Sequence, residues 1–209
     1  MRMNRIVLTT TNRGKIKELK DEFRDLDIEL LTLSDFYHMW PYISDPEENG
    51  KTFEENAKIK AEYYYDKFKM PVLADDSGLM VDALDGEPGV FSGRYSGVTG
   101  PDKDAANMEK LSDVMKAKNV TESTAKYVCS MVLYMYDNTY ITTTGICKGI
   151  VKLERRGTNG FGYDPMFWIY DSKSSKMKTI AELTKDEKNQ ISHRGMALRN
   201  IKKILKKFK

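Results

Sequence analysis

Four carboxylates in this sequence could carry chemistry: Asp75 and Asp76, which follow a short apolar segment at residues 71–74, and Glu47 and Glu48 in a preceding loop. A charge at the end of a buried strand is unfavourable unless a basic side chain, a metal ion or a ligand pairs with it. Because open α/β sheets bind ligands at the carboxyl ends of their strands, the two aspartates are candidates for Mg²⁺ held together with phosphate oxygens. A carboxylate there can also take a proton from an attacking water. The pattern is equally compatible with a surface turn capped by Asp.

A second candidate is the polar loop TTTNRGK at residues 9–15, which lies between a predicted strand and a predicted helix. A helix N-terminus presents free backbone N–H groups and the positive end of the helix dipole. Thr10, Thr11 and Asn12 add side-chain donors, and Lys15 adds a positive charge. The loop is therefore a possible phosphate site, although it lacks the glycine spacing of a Walker loop. A polar helix cap without a ligand is the more common meaning of such a pattern.

The segment GTNGFGYDP at residues 157–165 could hold a planar base. Phe161 and Tyr163 would offer faces for stacking, and Asp164 would offer a hydrogen-bond acceptor. The alternative is a flexible loop whose aromatic rings turn into the core.

The segment ISHRG at residues 191–195 places His193 and Arg194 in the first turn of the predicted last helix. Cations at a helix N-terminus oppose the helix dipole, so this arrangement requires an anion or an acceptor nearby. That requirement indicates a ligand.

The elements that must position these residues alternate between strands and helices. These strands and helices are supported by hydrophobic periodicity, by capping boxes at 52–55 and 184–187, and by Ser192 as an N-cap. Strands are predicted at residues 5–10, 28–33, 71–74, 126–136, 140–153 and 166–170, and helices at 15–26, 52–69, 104–118 and from 193 onward. Asp137 and Asn138 form a hairpin turn between two of the strands. This order predicts an α/β fold with a mixed sheet.

Length and composition indicate a soluble globular protein, with residues 1–209 forming a single domain around one core that could be divided into two lobes. No apolar run reaches membrane-spanning length, and the first residues do not resemble a secretory leader. Cys129 and Cys147 are expected to be reduced buried thiols. We therefore expect a cytoplasmic protein that does not bind membranes.

The basic charge is concentrated at the C-terminus, where residues 194–209 contain seven basic residues and no acidic ones. A basic tail can bind nucleic acid. Here the apolar residues fall on a helical stripe that comprises Ala197, Leu198, Ile201, Leu205 and Phe208. The tail is therefore predicted to be an amphipathic helix docked on the core, with its lysines facing water.

Six segments resemble one known family. TTTNRGKIKE, TFEENAKIKA, LADDSGLMVDAL, PGVFSGRYSG, GFGYDPMF and AELTKDEKNQISHRG occur in this order over nearly the whole chain. Together they resemble the HAM1 family of non-canonical purine nucleoside-triphosphate pyrophosphatases, the inosine triphosphatase group. The resemblance implies a two-lobed α/β fold with a long mixed sheet flanked by helices, and an active site in the central cleft. It also implies a homodimer and Mg²⁺-dependent hydrolysis of ITP, dITP or XTP to the monophosphate and diphosphate.

The resemblance also implies roles for individual residues. Asp76 would be the catalytic acid–base group and a metal ligand, Glu48 the other metal ligand, and Lys15 the catalytic phosphate-binding cation. The substrate-binding residues would be Thr10, Thr11, Asn12, Arg13, Gly14, Lys15, Ser77, Phe161, Gly162, Tyr163, Asp164, Lys188, His193 and Arg194. His193 and Arg194 would present hydrogen-bond donors to the 6-oxo group of hypoxanthine or xanthine, where adenine carries an amino group. Thr11 departs from the family pattern, which has glycine there, and threonine disfavours positive φ.

Two other functions fit parts of the sequence. A Maf-type nucleotide pyrophosphatase would act on pyrimidine or modified nucleotides, and a panel of triphosphates would distinguish it. A nucleic-acid-binding module using the basic tail would show salt-dependent binding without turnover.

Overall fold

The computed structural model describes residues 4–40, 42–172 and 174–208. Its strands are β1 Arg5–Leu8, β2 Glu29–Thr32, β3 Val72–Val81, β4 Glu122–Tyr134, β5 Tyr140–Lys152, β6 Phe167–Asp171 and β7 Lys176–Thr179. Its α-helices are α1 Arg13–Glu22, α2 Phe53–Phe68, α3 Lys103–Ala117, α4 Lys185–Ile191 and α5 His193–Leu205. The strands form a seven-stranded sheet in the order β2-β1-β3-β4-β5-β6-β7. Because β1 pairs in parallel with β2 and β3, whereas β6 pairs antiparallel with β5 and β7, the predicted mixed α/β sheet is confirmed.

The chain divides into two compact units. The first contains the described residues of Met1–Asp76, Cys129–Gly145 and Arg194–Lys209, and the second contains Ser77–Val128 and Ile146–His193. The chain passes from one unit into the other within β3, β4 and β5. The prediction of a single domain over residues 1–209 stays a prediction.

The first unit packs helices on both faces of its strands. Successive residues of a strand point to opposite faces, so Leu73 packs in the cluster of α1 and α5 whereas Val72 and Ala74 pack in the cluster of α2. The stripe on α5 is buried at Ala197, Leu198, Ile201 and Leu205, as predicted; the side chain of Phe208 lies outside the described residues.

The second unit has its own apolar core. It contains the later part of β3 with Leu79 and Val81, and Leu111 and Met115 from α3. Further residues of this core come from β4, β5, β6 and the segment that follows β7.

The predicted end of the third strand was wrong. We expected it at residue 74, but β3 continues to Val81, so Asp75 and Asp76 lie inside the strand. Leu79 and Val81 are fully buried and continue the alternation beyond Gly78. Because successive strand residues face opposite sides, the two aspartates point to opposite faces of the sheet.

Other predictions about the elements were confirmed. Capping boxes open α2 at Thr52 and α4 at Thr184, and α5 begins directly after Ser192. Asp137 and Asn138 both have positive φ at the turn between β4 and β5. Strand β7 was missed, because its sequence KMKT has no apolar run. Among the described residues, no helix has both the length and the apolar character needed to cross a membrane.

Candidate functional site

The polar loop after β1 ends in a capped helix. Helix α1 begins at Arg13, two residues earlier than predicted, and Asn12 is its N-cap. Asn12 Oδ1 accepts hydrogen bonds from the backbone N–H groups of Gly14 at 2.9 Å and Lys15 at 3.1 Å. Two of the N–H groups expected to face a phosphate therefore already have a side-chain acceptor within the protein.

The rest of this loop is open to solvent. Thr10 is half-buried, and Thr11, Asn12, Arg13 and Gly14 are exposed. Thr11 is not among the residues with positive φ, so its side chain imposes no left-handed strain where the family pattern has glycine.

Lys15 points from α1 to the buried carboxylate of Asp75. Its Nζ lies 2.7 Å from Asp75 Oδ2, and the two side chains are 20% and 9% exposed. Arg194, at the start of α5, lies on the same carboxylate, with its Nε 3.6 Å from Asp75 Oδ2 and its Nη1 3.7 Å from Glu18 Oε2. The anionic partner that we expected for Arg194 is therefore supplied at least in part by the protein itself.

The charges around Asp75 keep it ionised. Burial alone would raise the pKa of this carboxyl, but the positive charges of Lys15, Arg194 and Lys60 outweigh burial and lower the pKa well below its usual value. Asp75 is thus a fixed negative charge that holds cations from α1 and α5, and Lys60 Nζ from α2 donates to its backbone oxygen at 3.2 Å.

Asp76 has different surroundings from Asp75. It is half-buried, and its Oδ2 accepts a hydrogen bond from Asn56 Nδ2 of α2 at 3.1 Å. Ser77 follows it in β3 and is also half-buried.

Lys60 is a residue of this site that the sequence reasoning missed. Its Nζ lies 2.6 Å from Glu48 Oε1, which fixes the loop before α2. Burial alone would lower the pKa of Lys60, but the carboxylates of Asp75, Glu48 and Asp76 raise it above the usual value. Lys60 lies four residues after Asn56 in α2, a spacing that places two side chains on one helix face and could have indicated both residues.

These groups border a polar pocket of about 130 Å³ within the first unit. Its lining comprises Thr9, Thr10, Thr11, Lys15, Asp45, Glu48, Lys60 and Asp75. Carboxylate oxygens and two lysines in one pocket suit a phosphate group accompanied by a hard cation.

A divalent metal fits the chemistry of this donor set, but the protein alone does not complete a metal site. In the part of the chain that the structure describes, no three His, Cys, Asp or Glu residues are arranged to hold a metal ion. Mg²⁺ is commonly bound through only one or two carboxylates, together with waters and substrate phosphates. Glu48 lines the pocket, whereas Asp76 is not among its lining residues, so the pairing of Asp76 and Glu48 as metal ligands stays a prediction.

The predicted base-binding loop lies in the second unit and is organised by Asp164. This carboxylate is buried and accepts hydrogen bonds from the backbone N–H of Phe161 at 2.9 Å and from Lys188 Nζ at 2.5 Å. Gly160 has φ +84°, and a Cβ there would lie 2.1 Å from Asp164 Oδ2, so the turn requires glycine. Asp104 of α3 accepts from the backbone N–H of Gly162 at 2.8 Å.

The two aromatic rings of this loop differ in exposure. Phe161 is 49% exposed, and Lys188 Nζ lies 4.4 Å from its ring centroid. Tyr163 is only 3% exposed, and its hydroxyl donates to the backbone oxygen of Ser92 at 2.9 Å. The ring of Phe161 is therefore partly exposed and its use for stacking stays a prediction, whereas the ring of Tyr163 belongs to the core.

His193 lies against another residue of the same unit. Its ring stacks on Tyr127 with centroids 4.9 Å apart and an interplanar angle of 11°. Tyr127 is also hydrogen-bonded to Asp164, and burial, followed by the charge of that carboxylate, raises the pKa of its hydroxyl. The second unit thus connects His193, Asp164, Lys188 and Phe161 through direct contacts.

Comparison with known proteins identifies the family. The family model described as "Ham1 family" matches residues 6–204. The chain belongs to the Ham1 family. Its membership replaces the Maf-type alternative and accounts for the order of the six segments noted above.

Relatives in the Ham1 family are similar over their full length. A protein of Bacillus anthracis named "dITP/XTP pyrophosphatase" is 41% identical, with 95% of each chain covered. A protein of the same name from Halalkalibacterium halodurans is 42% identical, with 97% of this chain and all of that protein covered. The solved structure of a HAM1 protein from Coxiella burnetii has a TM-score of 0.86 at 38% identity and covers 98% of this chain and all of its own. The Staphylococcus aureus Ham1 protein gives a TM-score of 0.82, also at 38% identity, with 99% of this chain and all of that chain covered.

Proposed function

We propose that this protein hydrolyses the non-canonical purine nucleoside triphosphates dITP, XTP and ITP to the monophosphate and diphosphate, and so removes them from the nucleotide pool. The observation that carries the proposal is its 41–42% identity, over almost the whole of both chains, to proteins named dITP/XTP pyrophosphatase. The pocket lined by Lys15, Lys60 and carboxylates supports a phosphorylated substrate.

The first unit contains the groups to which we assign the phosphate chemistry. Lys15 and Lys60 would balance the negative charge of the triphosphate, and charge stabilisation of this kind dominates phosphoryl transfer. Asp75 would keep Lys15 and Arg194 in place, because it holds both side chains before any substrate binds. Asp76 would accept a proton from the attacking water on a carboxylate oxygen. Thr10, Thr11, Asn12, Arg13, Gly14 and Ser77 are assigned to contacts with the substrate.

Enzymes of the Ham1 family generally need a divalent metal ion. We propose Mg²⁺ for this protein, with Asp76 and Glu48 as the residues that hold it. A bound divalent cation neutralises phosphate charge and polarises phosphoryl oxygens. The ion pair with Lys60 already holds the Glu48 carboxylate in a fixed position, which supports its proposed role as a metal ligand.

We assign recognition of the base to groups of the second unit and to Arg194. Phe161 provides an exposed aromatic face, and Gly162, Tyr163 and Asp164 form the turn that carries it. Lys188 and His193 present polar groups beside that turn. A donor on His193 would favour a 6-oxo purine over adenine, because a donor that the bound base covers and that faces an amino group would remain unpaired. Arg194 would contribute to this choice only through N–H groups that do not face Asp75 or Glu18.

The proposed partners and location follow the same family. We propose a homodimer in the cytoplasm, and sedimentation velocity tests the dimer. Binding to nucleic acid through α5 is not proposed, because Lys202 of that helix and Lys206, which follows it, pair with acidic residues of the first unit.

The test is incubation with dITP, XTP, ITP, GTP, ATP and a set of pyrimidine triphosphates in the presence of Mg²⁺. We expect diphosphate, rather than orthophosphate, to be released from the first three at a much higher kcat/KM. Release of orthophosphate, or a preference for pyrimidine or canonical nucleotides, would overturn the proposal. Omission of Mg²⁺ with a chelator should abolish turnover.

A further inference from the structure

The fully buried side chain of Asn56 uses both ends of its amide. Asn56 lies in the first turns of α2 and is 0% exposed. Its Oδ1 accepts a hydrogen bond from the backbone N–H of Gly50 at 2.7 Å, and its Nδ2 donates to Asp76 Oδ2 at 3.1 Å. A buried amide is stable only when both ends are paired, and these two partners meet that condition.

The partners also determine the orientation of the amide. The N–H of Gly50 can only donate, and an ionised carboxylate can only accept. The reversed amide would therefore place donor against donor and acceptor against acceptor. Asn56 is specified at this position by the combination of a backbone donor on one side and a carboxylate on the other.

The loop before α2 lies very close to this side chain. A Cβ on Gly50 would come within 2.6 Å of Asn56 Oδ1 and 2.7 Å of Glu55 Cβ, distances that folded proteins do not tolerate. Glu55 holds the same segment, because its Oε2 accepts from the backbone N–H groups of Lys51 and Thr52. The loop is therefore bound to the start of α2 by several contacts.

This loop carries Glu48, two residues before Gly50. Lys60, one helical turn after Asn56, holds the Glu48 carboxylate at 2.6 Å. The amide of Asn56 connects the loop backbone directly to the Asp76 carboxylate of β3. Movement of Asn56 would change the position of the loop relative to Asp76.

We propose that Asn56 is a positioning residue that fixes the loop carrying Glu48 relative to Asp76, so that the two carboxylates can act on one triphosphate. The inference rests on the proposed function, because Asp76 and Glu48 carry the proton transfer and metal binding proposed there. Small displacements of reacting groups lower rates strongly, so a change at Asn56 should affect kcat more than KM.

Three variants separate the two hydrogen bonds. Asn56→Asp keeps an acceptor for Gly50 but replaces the donor to Asp76 by a carboxylate oxygen. Asn56→Leu has a similar volume and removes both bonds. Gly50→Ala pushes the loop away from Asn56 without altering the core, so the test does not depend on the folding of the Asn56 variants.

Asn107 of α3 provides a matched control in the second unit. It is also buried, its Oδ1 accepts from the backbone N–H of Ser96 at 2.8 Å, and its Nδ2 donates to the backbone oxygen of Ser92 at 3.3 Å. Asn107→Asp and Asn107→Leu therefore carry a comparable cost of burial, but they do not disturb a carboxylate. They measure the effect of lost stability on kcat.

Two measurements are made on all variants. Amide hydrogen exchange at Gly50 should accelerate in Asn56→Leu and remain slow in Asn56→Asp, because only the latter keeps the acceptor. With dITP and saturating Mg²⁺, kcat should fall roughly tenfold or more in Asn56→Asp, Asn56→Leu and Gly50→Ala, with a smaller change in KM. Both Asn107 variants should keep kcat within about twofold of the parent.

The inference would be overturned if Asn56→Asp retained the kcat of the parent, or if the Asn107 variants lost kcat to the same extent. Unchanged exchange at Gly50 in Asn56→Leu would overturn the link to the loop, and this readout does not require turnover. A parent protein that is inactive on every triphosphate would instead overturn the proposed function and the catalytic part of the inference. An active parent with an unaffected Asn56→Asp variant would overturn the inference alone.

Discussion

Asp75 and Asp76 are neighbours in the sequence, but they have different surroundings. Asp75 is enclosed with Lys15 and Arg194, whereas Asp76 is half-buried and contacts Asn56. An ionised carboxylate that accepts bonds from several cations is a poor proton acceptor, because its pKa is lowered. The structure therefore supports a structural role for Asp75, and proton transfer by Asp76 remains our proposal.

We expect Asp76→Asn to lower kcat by about a hundredfold or more and to change Tm little. Asparagine keeps the size of the side chain but removes the negative charge and the basic oxygen. The measurements are kcat with dITP and thermal unfolding. Asp75→Asn is the control, and it should lose about 3–5 kcal/mol of stability because it leaves buried cations uncompensated. A folded Asp76→Asn protein with normal turnover would contradict the assignment.

Lys15 contributes to stability more than the sequence suggested. From the sequence, Lys15 was predicted only as a positive charge at the start of a helix. In the structure its side chain is 20% exposed and pairs with Asp75, so Lys15→Ala should cost about 1–3 kcal/mol as well as lowering kcat/KM roughly a hundredfold.

Lys17→Ala, at an exposed position of the same helix, is the control for the Lys15 variant. It should change neither thermal stability nor kcat/KM appreciably. If Lys15→Ala has the kcat/KM of the parent, Lys15 is only a structural partner of Asp75.

Motifs predicted the candidate residues but not their pairings. Lys15 and Asp75 are 60 residues apart in the chain, and Arg194 is far from both, so only the folded sheet and helices bring them together. Asn56 was missed for a related reason. An asparagine near a helix start usually faces water or caps the helix, and its burial depends on the loop and strand packed against it.

At the scale of elements, ion pairs connect α5 to the end of α1. Lys202 lies 2.6 Å from Asp25 Oδ1 and 3.3 Å from Glu22, and Lys206 lies 2.8 Å from Asp25 Oδ2. Hydrogen bonds from Lys202 and Lys206 lower the pKa of Asp25 below its usual value. The basic C-terminal helix is thus held by an apolar stripe on one side and by a shared carboxylate at its edge.

We expect Asp25→Asn to lower Tm at pH 7 and low salt, by an amount that shrinks with added salt. The folded pKa of Asp25 lies below its unfolded value of about 3.9, so this contribution is present above that pH and is lost as the pH falls below it. The difference in Tm between parent and variant should therefore begin to shrink below about pH 3.9 and vanish only as the pH falls through the lowered folded pKa. Asp21→Asn, which breaks only a local pair with Arg24, should have a smaller effect. A difference in Tm that is independent of salt and pH would contradict this account.

The elements that were predicted well are those whose local patterns agree with their final packing. Helix α5 shows a clear stripe, and α2 and α4 begin at capping boxes. The end of β3 was not predictable in this way, because Ser77 and Gly78 favour a turn locally, whereas pairing with neighbouring strands continues the sheet. Tertiary pairing decides such positions against local preference.

At the scale of the whole molecule, the two compact units share continuous strands. Strand β3 passes between them at Asp76 and Ser77, β4 at Val128 and Cys129, and β5 at Gly145 and Ile146. This connectivity favours cooperative unfolding over independent domains.

The two tryptophans allow that cooperativity to be measured, because Trp40 lies in the first unit and Trp168 in the second. Trp40 packs edge-on against Phe68 with ring centroids 5.5 Å apart, and Trp168 is buried in β6 beneath the guanidinium of Arg156. In Trp168→Phe and Trp40→Phe, the remaining tryptophan reports the unfolding of its own unit.

In each variant, we expect the midpoint of the fluorescence transition in guanidinium chloride to agree within about 0.2 M with the midpoint of the far-UV circular dichroism transition of the same variant. Separate midpoints, or a plateau between two transitions, would show that residues 1–209 form two independently folding domains. Coincident midpoints would mean that the phosphate-binding and base-binding groups proposed here form and are lost together, because the strands that carry them unfold in one step.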